Sequence, residues 1–344
     1  MQLKDMIFDL CAISAPSGFE EAAFSRVNEL LSPYVDSIST DAMGNLIAVK
    51  RCGKPNAKTL MLDAHMDEIG MIVTEIDKSG FLRFANLGGI DPRMLPAREV
   101  RLMTEPPLLG VIDTMPPHAL SAEEMDKSID VKKLFIDVGL SAEEAKQRIP
   151  LGTPLVFNGS GECFGEFELC SKSLDDRACV AIIIKTLEEL ATKELDVDIY
   201  CLISTQEELG MRGAITGAYS VSPDYAIAVD VTHAATPDSK KGETMEISKG
   251  AAIGVGPNMN KNITNTLFQL AKDMKIPHQT EVISGSSGTN GWVIQVSREG
   301  VCTAVVSLPI KYMHSPVETM DIRDAEAIVK LLTEFADKLG KEGL

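Results

Sequence analysis

The sequence predicts an α/β protein: a mixed, largely parallel sheet flanked by helices, with a β-rich domain inserted into it. Three observations carry this expectation. Apolar strands and helix-period segments alternate along both ends of the chain. Between residues 69 and 164 the texture changes to short β-type segments such as MIVTEI, FLRFANL, EVRLMT and LLGVIDT, separated by Gly, Pro and charged turns. The chain has 344 residues, 44% hydrophobic and 24% charged, enough to bury two cores. The expected division is a main domain over residues 1–68 and 165–344 and an insert over 69–164.

Residues 3–13 have the period of an amphipathic helix carrying acids, without the basic and apolar regions of a signal peptide. Ser17-Gly18-Phe19-Glu20 reads as a capping box, Ser17 as N-cap and Glu20 at N3, opening a helix to about Leu31. Ser37–Thr40 and Leu46–Val49 alternate around Gly44-Asn45, a hairpin pattern. Thr59–Ala64 is a strand that runs into His65. Within the insert, a local helix is expected near Ser141–Arg148. Beyond it, helices are expected over Arg177–Ala191, Ile263–Met274 and Asp324–Leu339, and strands over Val197–Thr205, Asp224–Asp230 and Thr303–Leu308.

The net charge of −17 argues against nucleic acid as a partner, which calls for clustered Lys and Arg. No apolar run approaches the roughly 18 residues of a membrane span. The seven cysteines include no C-x-x-C pair, and several sit in apolar stretches, as Cys179 and Cys201 do; they read as free thiols of a soluble, cytoplasmic protein.

The chemistry lies in where acids and histidines fall. His65 and Asp67 follow one strand, Glu207 and Glu208 another, Asp230 closes a third, and His314 lies just beyond a fourth. Open α/β sheets place ligand sites at such carboxyl ends. Asp175 and Asp176, before the helix at Arg177, can reach the same rim. In His65-x-Asp67 the carboxylate can fix the second nitrogen of a ligating imidazole. Adjacent Glu207 and Glu208 should point apart on extended chain, one toward metal and the other, free, toward a water. Asp230 ends the apolar run YAIAV, where an uncompensated charge is costly without a cation. Asp175 suits a bridging carboxylate, because Asp176 beside Arg177 can be held structurally, yet sequence logic alone leaves the pair undecided. Nitrogen and oxygen donors without sulfur suit Zn, Co or Mn. Two such ions ~3.5–4 Å apart would activate a water and stabilise a tetrahedral oxyanion, with Glu207 moving the proton.

Taken together, these motifs resemble the M42 family of co-catalytic metallo-aminopeptidases, relatives of the tetrahedral twelve-subunit peptidases. The likeness runs over essentially the whole chain, through Ser17–Glu20, Asp41-Ala42-Met43-Gly44-Asn45-Leu46, His65–Gly70, Leu174–Arg177, Gln206-Glu207-Glu208 with Arg212-Gly213-Ala214, Asp230-Val231-Thr232 and Tyr312–Pro316. The resemblance implies an aminopeptidase acting on peptides with a free N-terminus. It implies one ion on His65, Asp175 and Asp230, a second on Asp175, Glu208 and His314, Asp67 supporting them and Glu207 as general base. It makes the insert, with Gly88-Gly89-Ile90-Asp91 and Pro116-Pro117-His118, a PDZ-like dimerisation domain, and the assembly anything from a dimer to a dodecamer.

Two departures touch the family's substrate pocket: its usual G-T-D reads Gly288-Thr289-Asn290, and its P-T-R-Y reads Pro309-Ile310-Lys311-Tyr312. Loss of the acid at 290 would relax selectivity for a basic residue. His233 reads equally as a neighbour of the metal or a loop histidine, His118 as part of the insert and His278 as surface. A glycosidase using Glu207 and Glu208 is the alternative enzyme, but glycosidases need carboxyls ~5–9.5 Å apart across a cleft. A non-catalytic metal-binding scaffold is the alternative outside enzymes.

Overall fold

The computed structural model describes residues 1–116, 118, 129–237, 239–240 and 242–343. Pro117, assigned with the insert, lies outside the described residues.

Four strands with nearly continuous burial form the centre: β3 (Lys58–His65), β12 (Val197–Ser204), β13 (Tyr225–His233) and β16 (Cys302–Lys311). They pair in parallel in the order β12-β3-β13-β16. Unbroken apolar runs suit strands covered on both faces. On one face α4 (Leu174–Leu190) packs on β3, and α1 (Leu3–Cys11), α6 (Lys261–Asp273) and α8 (Ile322–Glu342) complete the same core with Leu60, Leu62 and Ala64. On the other, Ala214 and Ala218 of α5 (Arg212–Val221) and Ile294 of α7 (Gly291–Ile294) pack on Met61 and Leu202. Because β12 and β13 flank β3 on opposite sides, the chain reverses its winding at β3, which opens a crevice beyond the end of that strand.

The expectation of a largely parallel sheet is corrected at the edges. The sheet has eleven strands. β1 (Ser37–Thr40) and β2 (Leu46–Lys50) form the expected hairpin and join β12 antiparallel. β17 (Glu318–Asp321), β11 (Glu168–Ser171) and β10 (Glu162–Phe164) extend the other edge, all antiparallel. β14 (Ala251–Val255) pairs antiparallel with β16 and parallel with β15 (His278–Val282). β1, β2, β10, β11 and β17 are short and pair antiparallel, so they lack the strand-helix alternation by which the centre was legible; β14 and β15 keep it, as a parallel pair connected through α6.

The β-rich segment closes into a barrel of six strands, β4 (Gly70–Ile76), β5 (Leu82–Leu87), β6 (Glu99–Leu102), β7 (Leu108–Asp113), β8 (Phe135–Asp137) and β9 (Pro154–Phe157), in the order β4-β5-β8-β7-β6-β9. It has its own core, including Met71, Leu82, Val100, Ile112 and Ile136. Its helix α3 (Ala142–Arg148) carries a capping box between Ser141 and Glu144. β10 falls inside the 69–164 segment expected of the insert, yet pairs with β11 of the large sheet.

The capping box expected at Ser17 is not formed. Helix α2 runs Glu21–Leu31 with Glu20 itself at the N-cap and no side-chain cap bond. Ser17 instead donates to Asp67 Oδ2 at 2.7 Å. Glu20 Oε1 accepts the backbone N–H of Gln206 at 3.0 Å, reaching across to the sheet. All seven cysteines are free, with Cys11, Cys170, Cys179 and Cys201 buried and Cys163 and Cys302 exposed. No helix of the described residues is long and apolar enough to cross a membrane.

Asn290 is 1% exposed, so it presents no surface to a substrate side chain. Its Nδ2 donates to Asp63 Oδ2 and Ser204 Oγ, each at 2.8 Å. The carboxylate absent at 290 is therefore matched by one on β3, in contact with Asn290. Asn290→Asp would replace this donor by a second buried acid. We expect it to lower stability by about 1–3 kcal/mol, the usual effect of leaving a buried polar partner unsatisfied, with the Lys-to-Leu substrate ratio unchanged. Exchanging both residues, Asp63→Asn with Asn290→Asp, should recover most of the loss in a double-mutant cycle; additive losses would contradict the pairing.

Candidate metal and catalytic site

Every residue singled out in the sequence as a ligand reaches one rim, the carboxyl edge of the parallel strands. Donor atoms of His65, Asp175 and Asp230 lie within 4.8 Å of one another, as do those of Asp175, Glu208 and His314, so the two groups share Asp175. His65 Nε2 is 3.1 Å from Asp175 Oδ1. His314 Nε2 is 3.3 Å from both Asp175 Oδ2 and Glu208 Oε1. Asp230 lies inside β13 rather than closing it, since the strand continues to His233. Its carboxylate remains at the rim, and it is 6% exposed.

Asp67 ties the parts together. His65 Nδ1 is 3.0 Å from the Asp67 carbonyl and 3.4 Å from its carboxylate, so the carbonyl is the nearer of the acceptors that orient the ring. The same carboxylate accepts the backbone N–H groups of Glu207 and Glu208 at 3.0 and 3.1 Å. Burial alone would raise the Asp67 pKa, but His65 and these donors bring it below the usual carboxylate range.

Glu207 and Glu208 have different surroundings, but they do not lie on extended chain as expected. β12 ends at Ser204, and the pair sits on a turn in which Gln206 has φ +52°. Glu208 faces His314, while the Glu207 carboxylate accepts no hydrogen bond from the described residues. Burial, then the neighbouring Glu208, Asp175 and Asp67, push Glu207 up to about 8 against the pull of His65. Asp176 is not held by Arg177. Its Oδ2 accepts the backbone N–H of His65 at 3.1 Å, and burial raises it well above the usual range. Arg177 pairs instead with Glu68 at 3.0 Å and donates to the Met66, Leu10 and Ala15 carbonyls.

Several supporting residues escaped the sequence reading. Asn45 is fully buried and accepts the Thr205 N–H at 3.0 Å while donating to the Gly213 carbonyl at 2.9 Å. A Cβ on Gly213 would lie 2.2 Å from Asn45 Oδ1, so glycine is required there. The D-A-M-G-N and R-G-A motifs thus clamp the turn that presents Glu207 and Glu208. Gly88 and Gly89, expected to serve the insert, press on the site: a Cβ at Gly88 would meet Glu208 Oε2 at 3.1 Å, and the Gly89 carbonyl lies 2.7 Å from His314 Nδ1. Both glycines stood inside motifs that were read; what they touch depends on the barrel's placement, which local sequence does not encode.

The donor set fits divalent cations. Asp230 and Asp176 are both held well above the carboxylate range by burial, and Asp176 Oδ1 has no hydrogen-bond partner. The nearby imidazoles are held on the protonated side, His314 up to about 11, as Asp175 and Glu208 outweigh the effect of burial. Such an excess of buried acid is costly unless a cation shares it. Beside the cluster lies an open cleft of about 780 Å³, lined by Arg93, Arg98, His233, Tyr312 and Met313 among others.

Comparisons agree with this geometry. The family described as M42 glutamyl aminopeptidase matches residues 44–331. The chain is 37% identical over 328 residues to a lysyl aminopeptidase of Pyrococcus furiosus, covering 94% of this chain and 93% of the relative. Its fold is similar to an aminopeptidase from Desulfurococcus kamchatkensis, with a TM-score of 0.91 at 35% identity over 98% and 95% of the two chains. It is also similar to the TET1 peptidase of Pyrococcus horikoshii, which can assemble into a tetrahedron or a large octahedral shell, with a TM-score of 0.85 at 31% identity over 98% and 100%. By its family match, its relatives and its fold, this chain belongs to the M42 aminopeptidase family.

Proposed function

We propose that the protein is an aminopeptidase that removes N-terminal residues from peptides, with Glu207 as general base. One divalent ion would be held by His65, Asp175 and Asp230 and another by Asp175, Glu208 and His314. The observation that carries this reading is the unengaged Glu207 carboxylate beside two donor groups that share one aspartate. The donors are nitrogen and oxygen only, which favours zinc, with cobalt or manganese as alternatives. When bound, such ions supply Lewis acidity, polarising the scissile carbonyl and the attacking water.

The chain's own residues do the rest. Glu207 takes a proton from the attacking water on a carboxylate oxygen and delivers it to the departing amine. Asp67 supports this in two ways, by orienting His65 through Nδ1 and by holding the Glu207-Glu208 turn through its backbone N–H groups. The cleft beside the cluster receives the peptide. Its aromatic lining is Tyr312, short of the stacked rings a sugar cleft would offer, which disfavours the glycosidase alternative. We also infer that the chain forms homo-oligomers, from a dimer to a twelve-subunit shell, with the barrel as the contact; light scattering on the purified protein measures this directly.

Glu207→Gln should lower kcat by about 10²- to 10⁴-fold, the usual contribution of a positioned base, with metal content and assembly unchanged. Near-normal turnover in that variant would end the assignment of the base. Stripping the protein with a chelator should abolish hydrolysis of an aminoacyl-anilide panel. Separate addition of Zn, Co and Mn then identifies the metal that restores it, and full activity in metal-free protein would refute the metal dependence.

A further inference from the structure

Glu318 opens β17 directly beneath the site and is 2% exposed. It contributes no atom to either donor group, and no Lys or Arg among the described residues pairs with it. Its two oxygens divide between two backbone N–H groups from distant parts of the chain. Oε2 accepts from Asp175 at 3.0 Å, across 143 positions, and Oε1 accepts from His314 at 2.8 Å.

Those two backbone positions are unusual. Asp175 breaks the regular helical path at the start of α4, with φ −75° and ψ 104°. His314 has φ +60° and follows Tyr312 at φ +59°, a left-handed conformation that is uncommon for residues other than glycine. A buried carboxylate with only two neutral donors is itself unfavourable. Both oddities are explained if the carboxylate acts on what it holds.

We propose that Glu318 is a positioning residue that fixes the distance between Asp175, the aspartate shared by the two donor groups, and His314. The proposal rests on the two-ion reading above. It has an asymmetric consequence. In the Asp175–Glu208–His314 group two of the three members hang from Glu318, whereas in the His65–Asp175–Asp230 group one does. Removing the clamp therefore weakens the first group more than the second. Glu318→Gln keeps one acceptor oxygen but turns an amide N–H₂ toward the other backbone donor; Glu318→Leu removes both acceptors.

The test is a titration of metal-free protein with Co²⁺, followed by calorimetry and by the visible absorption of the bound ion. Melting of the metal-free proteins and their oligomeric size serve as controls. The wild type should take up two Co²⁺ per chain. In Glu318→Gln one of these should bind about 10- to 100-fold more weakly, the usual effect of losing a partner behind a metal ligand, with an altered absorption band. The other should change several-fold at most, and Glu318→Leu should show a larger loss at the same ion. Two ions bound by Glu318→Gln with wild-type affinity and spectrum would overturn the clamp while leaving the two-ion reading intact. Fewer than two ions in the wild type would remove that reading itself. Loss of both ions together with the metal-free fold would make Glu318 a purely structural residue and also overturn the proposal.

Discussion

The fold is arranged around an electrostatic surplus: Asp67, Asp175, Asp176, Glu207, Glu208, Asp230 and Glu318 converge where the parallel strands end, with the imidazoles of His65 and His314 the basic groups set among them in the described residues. Like charges so placed repel, and burial amplifies the repulsion. The protein holds many of them with backbone N–H groups rather than with cations. Asp67 accepts from Glu207 and Glu208, Asp176 from His65, and Glu318 from Asp175 and His314. Neutral donors fix geometry without neutralising charge, so the surplus stays available to an incoming cation.

Two side-chain cations buried nearby are committed elsewhere. Lys172 and Arg177 both pair with Glu68, which also accepts the Ala15 N–H, joining the start of α4 to the segment between α1 and α2. A buried cluster of this kind contributes rigidity more surely than stability. Its place one layer below the rim keeps Lys172 and Arg177 from quenching the carboxylates above, while anchoring the segment that follows His65 at the end of β3 and carries Asp67.

Much of this was legible in the sequence, for a physical reason. Parallel strands buried on both faces are long and uniformly apolar, so β3, β12, β13 and β16 announce themselves, and polar residues at their ends stand out. His65, Glu208, Asp230 and His314 were found that way, whereas Asp175, at the head of α4, was separated from Asp176 only by the family resemblance; the donor atoms of all five gather in two groups that share Asp175. Local rules failed where the tertiary context decides. Ser17 and Glu20 have the spacing of a helix cap, but Ser17 donates across the fold to Asp67, and Glu20 accepts from Gln206 as well as from Gly18 beside it. Arg177 adjoins Asp176 and ignores it for Glu68. Asn290 was read as a pocket residue because of its motif, whereas its buried partner is Asp63, remote in sequence. Glu318 gave no signal, since a carboxylate that acts through backbone groups leaves no pattern in side-chain chemistry.

The contact of Gly88 and Gly89 with Glu208 and His314 bears on how such a protein can change over time. The barrel interrupts the chain between residues that must cooperate, and it also supplies part of the wall around them. The barrel is therefore no detachable accessory to the rim. Substitutions confined to its outer surface leave the rim in place, but any that shift the glycine pair displace Glu208 and His314 as well. Barrel packing and rim geometry are thus obliged to drift together.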